Sequence, residues 1–275
     1  MIAQSLSPSV TRIRRLEMLL QRHLYLADTY VTEAATTVAR SGRHDSGVVW
    51  VALTDNIFHP QGGGQPADRG MVGELAVQAR RDDAGWVVLD MPDADGGSGG
   101  VPVPGTEAVT RIDLDLRRLH AALHTAGHLL DAFVRQLGFH HVGNSHFPGQ
   151  ARVDYAVSDR EIDRDALTEE LNKQFDEAVR AAIPVTADYR DGVRTVSIEG
   201  LHAEPCGGTH VTDLSMLRNV RIRSIKVKSG RMRVGYDAEH ASIRDASVPI
   251  GEQEVSGHEP VRDRTTRGVP HTGGR

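Results

Sequence analysis

A disulfide needs two cysteines, and this sequence of 275 residues has one, Cys206. The fold must therefore rest on packing, and the thiol is free for chemistry or a metal. No stretch approaches the ~18 continuous apolar residues of a membrane span, and the N-terminus lacks the apolar core of a secretory signal, so a soluble cytoplasmic protein is expected. Internal repeats are missing. So is a strong excess of one charge: the formal net charge is −5, which argues against a protein that coats nucleic acid without specificity. That total conceals a local basic face. Between Leu214 and Tyr236 the chain carries Arg218, Arg221, Arg223, Lys226, Lys228, Arg231 and Arg233 without one acidic residue.

The length suits two domains. Residues 1–23 form a basic N-terminal extension, with Arg12, Arg14 and Arg15 ahead of the first acid, Glu17. From Leu24 the apolar runs are short and β-rich, as in Val48 to Leu53 and Trp86 to Leu89, which predicts a small β-domain over 24–110. The glycine- and proline-rich segment Met91 to Thr106 reads as a mobile surface loop or linker, with a domain boundary just after it. In the second domain, 111–240, a helix starts at Asp113 or Asp115 and carries Leu116, Leu119, Leu123, Ala126, Leu130 and Val134 on one stripe up to Gly138. A second helix is capped by Asp163 or Asp165 and buries Leu167, Leu171, Phe175, Ala178 and Ala182 before Pro184. Strands are expected over Ala151–Val157, Val185–Arg190, Val193–Ile198, Val220–Lys228 and Met232–Tyr236, the last two joined by Ser229 and Gly230. Helices mixed with mostly antiparallel strands predict an α+β two-layer arrangement. The tail, 241–275, lacks apolar periodicity and is expected to be disordered.

His124 and His128 stand four apart on the first helix, so both imidazoles leave the same face one turn apart. With 14 histidines in the chain, chance alone supplies about 0.7 such pairs, so this pair is weak by itself. Cys206 and His210 in PCGGTH are less accidental, since one cysteine with a histidine four ahead is expected only about 0.05 times. The glycines let the loop fold back until thiolate and imidazole converge, and a His₂CysHis set suits tetrahedral Zn²⁺. A closed structural zinc and a zinc that yields one position to water both fit this set. His120 lies two helical turns from His128, too far to join the same ion, and is expected at the surface or behind the ligands.

Three segments, NIFHPQGGGQPADRG at 56–70, RRLHAALHTAGHLL at 117–130 and PCGGTHV at 205–211, resemble the editing domains of alanyl-tRNA synthetases and their freestanding AlaX-type relatives. Similarity spans about Leu24 to Asp237, and the GGGQ-bearing β-domain resembles the medium-length class. The resemblance implies a small β-barrel followed by a two-layer α+β editing domain of the threonyl/alanyl-tRNA synthetase type. It implies Zn²⁺ held by His124, His128, Cys206 and His210. The implied reaction is hydrolysis of the ester that joins a wrong amino acid, serine or glycine, to the 3′ end of tRNA for alanine, which makes the mischarged acceptor end the partner.

Such an ester is already reactive, so the enzyme needs to place a water and stabilise an oxyanion more than it needs a strong nucleophile. Thr125 and Thr209 adjoin ligands; either hydroxyl could recognise the serine hydroxyl, or both could simply fix the loop. Gly62, Gly63, Gly64 and Gln65 read as a tight turn or as a flexible loop that presents Gln65 and backbone N–H groups to the CCA end, the reading the resemblance favours. Asp68 would cap that turn. Arg221 and Arg223 share one strand face while Lys226 and Lys228 have the opposite parity, so a continuous phosphate-binding stripe requires a bulge or strong twist. Two other classes fit the same residues: a zinc-dependent hydrolase or acyl-transfer enzyme acting on another aminoacyl substrate, and a non-catalytic tRNA-binding module with structural zinc.

Overall fold

The protein is represented by a computed structural model that describes residues 21–96, 101–157 and 161–242. The basic segment with Arg12, Arg14 and Arg15, and the tail beyond Ser242, lie outside the described residues. The short β-rich runs of the first half close into a barrel. Strands β1 (Arg22–His23) and β4 (Asp55–Asn56) make a small parallel pair. The barrel joins β2 (Glu33–Arg43), β3 (Val49–Leu53), β7 (Val87–Met91), β6 (Leu75–Arg81), β5 (Arg69–Val72) and β8 (Glu107–Ile112), in that order. Its lumen is filled by Val38, Val51, Leu53, Val77, Ala79, Val87 and Leu89. Closure removes the exposed sheet edges that a small open sheet would leave. The segment Met91 to Thr106, read as a loop or linker, runs between β7 and β8, and near its end Gly105 N–H donates to Val38 O at 2.8 Å.

Helix α1 (Leu114–Gln136) follows β8 directly, with the Asp113 carboxylate accepting from Leu116 N–H as N-cap. Gly138, at φ 85°, takes the left-handed turn just past its end. Side chains from His120 to Val134 are buried without a break. A single apolar stripe would bury one face only, so this helix is covered on two sides. Leu123, Leu130 and Phe133 join the hydrophobic core beneath it.

That core lies against a four-stranded antiparallel sheet of β9 (His140–Ser145), β10 (Arg152–Ala156), β14 (Leu217–Lys228) and β15 (Arg231–His240), in the order β14-β15-β10-β9. Helix α2 (Arg164–Arg180), capped by Asp163, packs on β14, where Asn172 accepts from Ile222 N–H at 2.8 Å. A second, three-stranded sheet holds β11 (Val185–Arg190), β12 (Val193–Ile198) and β13 (His202–Pro205). The architecture is thus α+β, a closed barrel followed by helices layered on an antiparallel sheet. The hairpin β14–β15 turns at Ser229 and Gly230 with φ of 50° and 72°, both left-handed, as a tight two-residue turn demands. Strands β9 and β13 carry no apolar alternation and were not expected from sequence; both lie at sheet edges, where half-exposed polar residues are tolerated.

The barrel is bound to α1 by a buried ion pair. Arg117 and Asp68 have side chains 0% and 1% exposed. The guanidinium also donates to Ile57 O at 2.6 Å and Thr29 O at 2.8 Å, and Asp68 accepts from the His59 backbone N–H, bridging the ends of the loop that carries the glycine turn. Every charge in this contact has a partner, without which burial would be costly.

Candidate metal centre

Helix α1 delivers His124 and His128 to one side, and the chain after β13 delivers Cys206 and His210 to the same point. Each offers one ligand atom, and the four atoms lie within 4.8 Å of one another. Cys206 Sγ is 3.2 Å from His210 Nε2 and 3.6 Å from His124 Nε2. Burial holds all three imidazoles neutral: it pushes His128 down to about 4 and His124 and His210 well below the ordinary histidine range. Neutral rings keep a lone pair for an ion. Burial also pushes the Cys206 thiol up, against the opposing pull of Gly208 N–H and Arg194. Such a thiol loses its proton to solvent readily only when a cation takes the sulfur in its place, and two or three imidazoles with one thiolate are a zinc-like donor set. The residues present fit Zn²⁺.

Hydrogen bonds fix which ring nitrogen faces inward. Gln65 Oε1 accepts from Thr209 N–H at 3.0 Å and lies 2.7 Å from His124 Nδ1. A backbone N–H can only donate, so this atom is the amide oxygen; His124 therefore carries its proton on Nδ1 and leaves Nε2 for the ion. Gln65 Nε2 completes the contact by donating to Thr209 Oγ1 at 2.9 Å. Thr125 Oγ1 lies 3.1 Å from His210 Nδ1 and accepts from Val211 N–H at 3.2 Å.

These contacts bear on two readings that the sequence left open. Gly62 to Gln65 is a tight turn closed by Gly62 N–H to Gln65 O at 3.1 Å and Gln65 N–H to Gly62 O at 2.9 Å, with Gly63 and Gly64 at φ 56° and 81°. It does not present Gln65 outward; that side chain is fully buried against His124 and Thr209. Thr125 and Thr209 are fully buried as well, with both hydroxyls engaged inside the protein, so they fix the loop and rings instead of facing a substrate. His120, expected at the surface or behind the ligands, is buried, and the Arg117 and Asp68 charges act on it.

The glycines of PCGGTH act through space more than through backbone freedom. Neither Gly207 nor Gly208 has a positive φ. A Cβ on Gly208 would run into the His124 ring, whereas one on Gly207 would meet nothing within 4 Å.

A cavity of about 340 Å³ opens on the cluster. His59, Gly62 and Gly63 line it from the barrel side, and His124, His128, Cys206, Glu204 and Asn144 from the other. Four of the residues around this site escaped sequence reading: His59, Asn144, His146 and Glu204. His146 stacks on His124 with ring centroids 4.4 Å apart, and its Nδ1 lies 2.6 Å from the Tyr236 hydroxyl, which donates to Leu123 O. Gly127 leaves room for that ring, since a Cβ there would meet His146 and Tyr236 at 2.5 Å. Nothing in the segment around His146 signals this role.

The basic hairpin is less uniform than its sequence. A register shift between Ile222 and Ser224 lets Ile222 and Ile225 both point inward, so Arg221, Arg223, Lys226 and Lys228 are all exposed. That bulge is the one a shared face requires. Yet Asp237 on β15 pairs with both Arg221 and Arg223, Glu239 pairs with Arg218, and Asp154 on β10 pairs with Arg233. Among the described residues no carboxylate forms an ion pair with Lys226 or Lys228, which face Arg233 and Arg231 across the hairpin.

Residues 193–234 match the family model described as the threonyl and alanyl tRNA synthetase second additional domain. The chain is 31% identical over 226 residues to an alanine–tRNA ligase of Methanothrix thermoacetophila, a match over 70% of this chain and 23% of that protein. It is 28% identical to the alanyl-tRNA editing protein AlaX-M of Pyrococcus horikoshii over 78% of this chain and 95% of that protein. It is 31% identical to the alanyl-tRNA editing protein Aarsd1-A of Xenopus laevis, over 62% of this chain and 44% of that protein. The chain spans only about a quarter of the length of the ligases it matches. Fold and site together define a protein that carries this second additional domain behind a β-barrel. In sequence it is similar to the editing proteins named AlaX-M over about four fifths of its length, in keeping with the three motifs.

Proposed function

We propose that the chain is an aminoacyl-tRNA deacylase that edits in trans, hydrolysing mischarged Ser-tRNA(Ala) or Gly-tRNA(Ala) with zinc held by His124, His128, Cys206 and His210. The observation that carries this reading is the single cavity in which the glycine turn of the barrel faces the His/Cys cluster. On this reading residues 24–110 and 111–240 act as two domains on one acceptor end. The editing proteins the chain resembles bear names that state alanyl-tRNA editing, which supports the substrate class.

Zinc bound there would supply Lewis acidity to an ester carbonyl or to a water. The chain's own residues do the rest. Gln65 and Thr125 hold the rings of His124 and His210, so the donor set does not reorganise as charge develops. Gly62 and Gly63 leave open space where side chains would stand, room for a ribose or phosphate to approach the backbone. The exposed cations Lys226 and Lys228, with Arg221 and Arg223, serve the phosphates of the acceptor stem. Incubation with Ser-tRNA(Ala), Gly-tRNA(Ala) and Ala-tRNA(Ala) tests the reading. Rapid loss of the serine or glycine ester with alanine spared is expected; no loss above buffer for either sinks it, and salt-sensitive binding without turnover would make the chain a tRNA-binding module instead.

A further inference from the structure

Two of the three histidines in the cluster have an outer partner described above, Gln65 for His124 and Thr125 for His210. The third, His128, has its Nδ1 beside strand β13. Alternate residues of a strand share a face, so His202 and Glu204 come to the same side of β13 with Ala203 opposite. Glu204 Oε1 lies 3.1 Å from His128 Nδ1, and Glu204 Oε2 lies 3.3 Å from His202 Nε2. One carboxylate thus spans two imidazoles. Neither contact has the alignment of a full hydrogen bond, and both ring nitrogens are otherwise buried without a partner. A buried N–H left in that state is costly, and the carboxylate is the acceptor within reach.

We infer that Glu204 is a positioning residue of the metal centre, one that keeps the His128 proton on Nδ1 and its free nitrogen toward the ion, with His202 holding the carboxylate in place. The inference rests on the zinc reading above. A carboxylate behind a ligating imidazole fixes its ring and raises its basicity, and loss of such a partner commonly weakens metal binding ~10–100-fold. The position also explains why a glutamate lines the cavity while only about a third of its side chain is exposed: one side serves the cavity wall and the other the rings.

The test is zinc affinity of the purified full chain, measured by competition with a chromogenic chelator, with the visible spectrum of the Co²⁺-loaded protein as a report on ligand geometry. Glu204→Ala should weaken zinc ~10–100-fold and shift the Co²⁺ bands. Glu204→Gln retains an acceptor without the charge and should lose less, and His202→Ala least of the three. Thermal melts of the metal-free proteins show whether each variant folds; should Glu204→Ala not fold, Glu204→Gln carries the test. Wild-type affinity and an unchanged Co²⁺ spectrum in a folded Glu204 variant overturn the inference. So does a second equivalent of zinc that vanishes in Glu204→Ala, because His128, His202 and Glu204 would then be ligands of their own ion. A wild-type chain that binds no zinc defeats the zinc reading itself and is thereby told apart from failure of the Glu204 assignment.

Discussion

Cys206 and its three histidines sit where almost every competing partner has been excluded, whereas the cations of β14 stand in solvent and meet carboxylates from the strands beside them. In the first region burial keeps the imidazoles neutral and the lone pairs available, so the chemistry latent in four side chains is preserved for an ion. In the second, neighbours decide. Asp237 is shared by the two arginines that look best placed and offsets one of their two charges, and the two lysines closer to the turn keep their charge free of any described carboxylate. A functional cluster is therefore better judged by what its surroundings withhold from it than by its own composition.

The largest effect belongs to the buried region. Cys206→Ala or His124→Ala should cut zinc affinity at least ~100-fold, beyond the loss expected for an outer partner, and deacylation should fall with it. His120→Ala, one turn earlier on the same helix, should leave zinc content unchanged, because its ring is not among the four side chains that converge. Elemental analysis of the purified variants decides. A full complement of zinc in Cys206→Ala would remove the contrast between the two regions at its root.

The contrast also governs what could be read before any coordinates. Spacing within one element is fixed by the backbone, so the i, i+4 pair His124 and His128 and the helix start at Asp113 were legible from sequence. The convergence of Cys206 and His210 on that pair was legible only as a chemical expectation, helped by resemblance. The role of Gln65 was not, because its direction depends on Thr209, 144 residues away in the chain. Charge on β14 was read from its own strand alone, and strand pairing brought in Asp237 and Glu239, which no inspection of residues 214–236 can show. Glu204 and His146 stayed hidden for the same reason: each acts through a neighbour distant in sequence.

Adjacent glycines sharpen the comparison at the next scale. Gly208→Ala places a methyl against the His124 ring and 2.8 Å from the Gln65 Oε1 that holds it, so the ring must turn. Zinc binding should weaken about 10-fold or more, comparable to losing an outer partner. Gly207→Ala faces open space and should change affinity less than ~2-fold, as exposed substitutions away from special features usually do. The same chelator competition reads both. Equal losses in the two variants would mean that PCGGTH needs glycine for backbone freedom and that the clearance beside His124 is irrelevant.

The smallest effect lies on the hairpin and separates its two kinds of cation. Each phosphate contact released by a substitution should flatten the dependence of log affinity on log salt by ~0.9, so removing two gives a change of close to ~2. Arg221 and Arg223 already share Asp237, and Arg223 also donates to Tyr236 O at 3.0 Å and Ala151 O at 3.1 Å. To reach a phosphate they must leave partners that hold them. Lys226 and Lys228 give up no described ion pair, and their cross-strand neighbours Arg233 and Arg231 add positive potential. The double change Lys226→Gln with Lys228→Gln should therefore reduce the salt slope of tRNA binding more than Arg221→Gln with Arg223→Gln, while single-turnover cleavage of bound substrate stays near wild type for both. Filter binding across a salt series supplies the slopes. A larger drop for the arginine pair would show that Asp237 orients those guanidinium groups for phosphate and does not neutralise them, and the exposed region would then be as organised as the buried one.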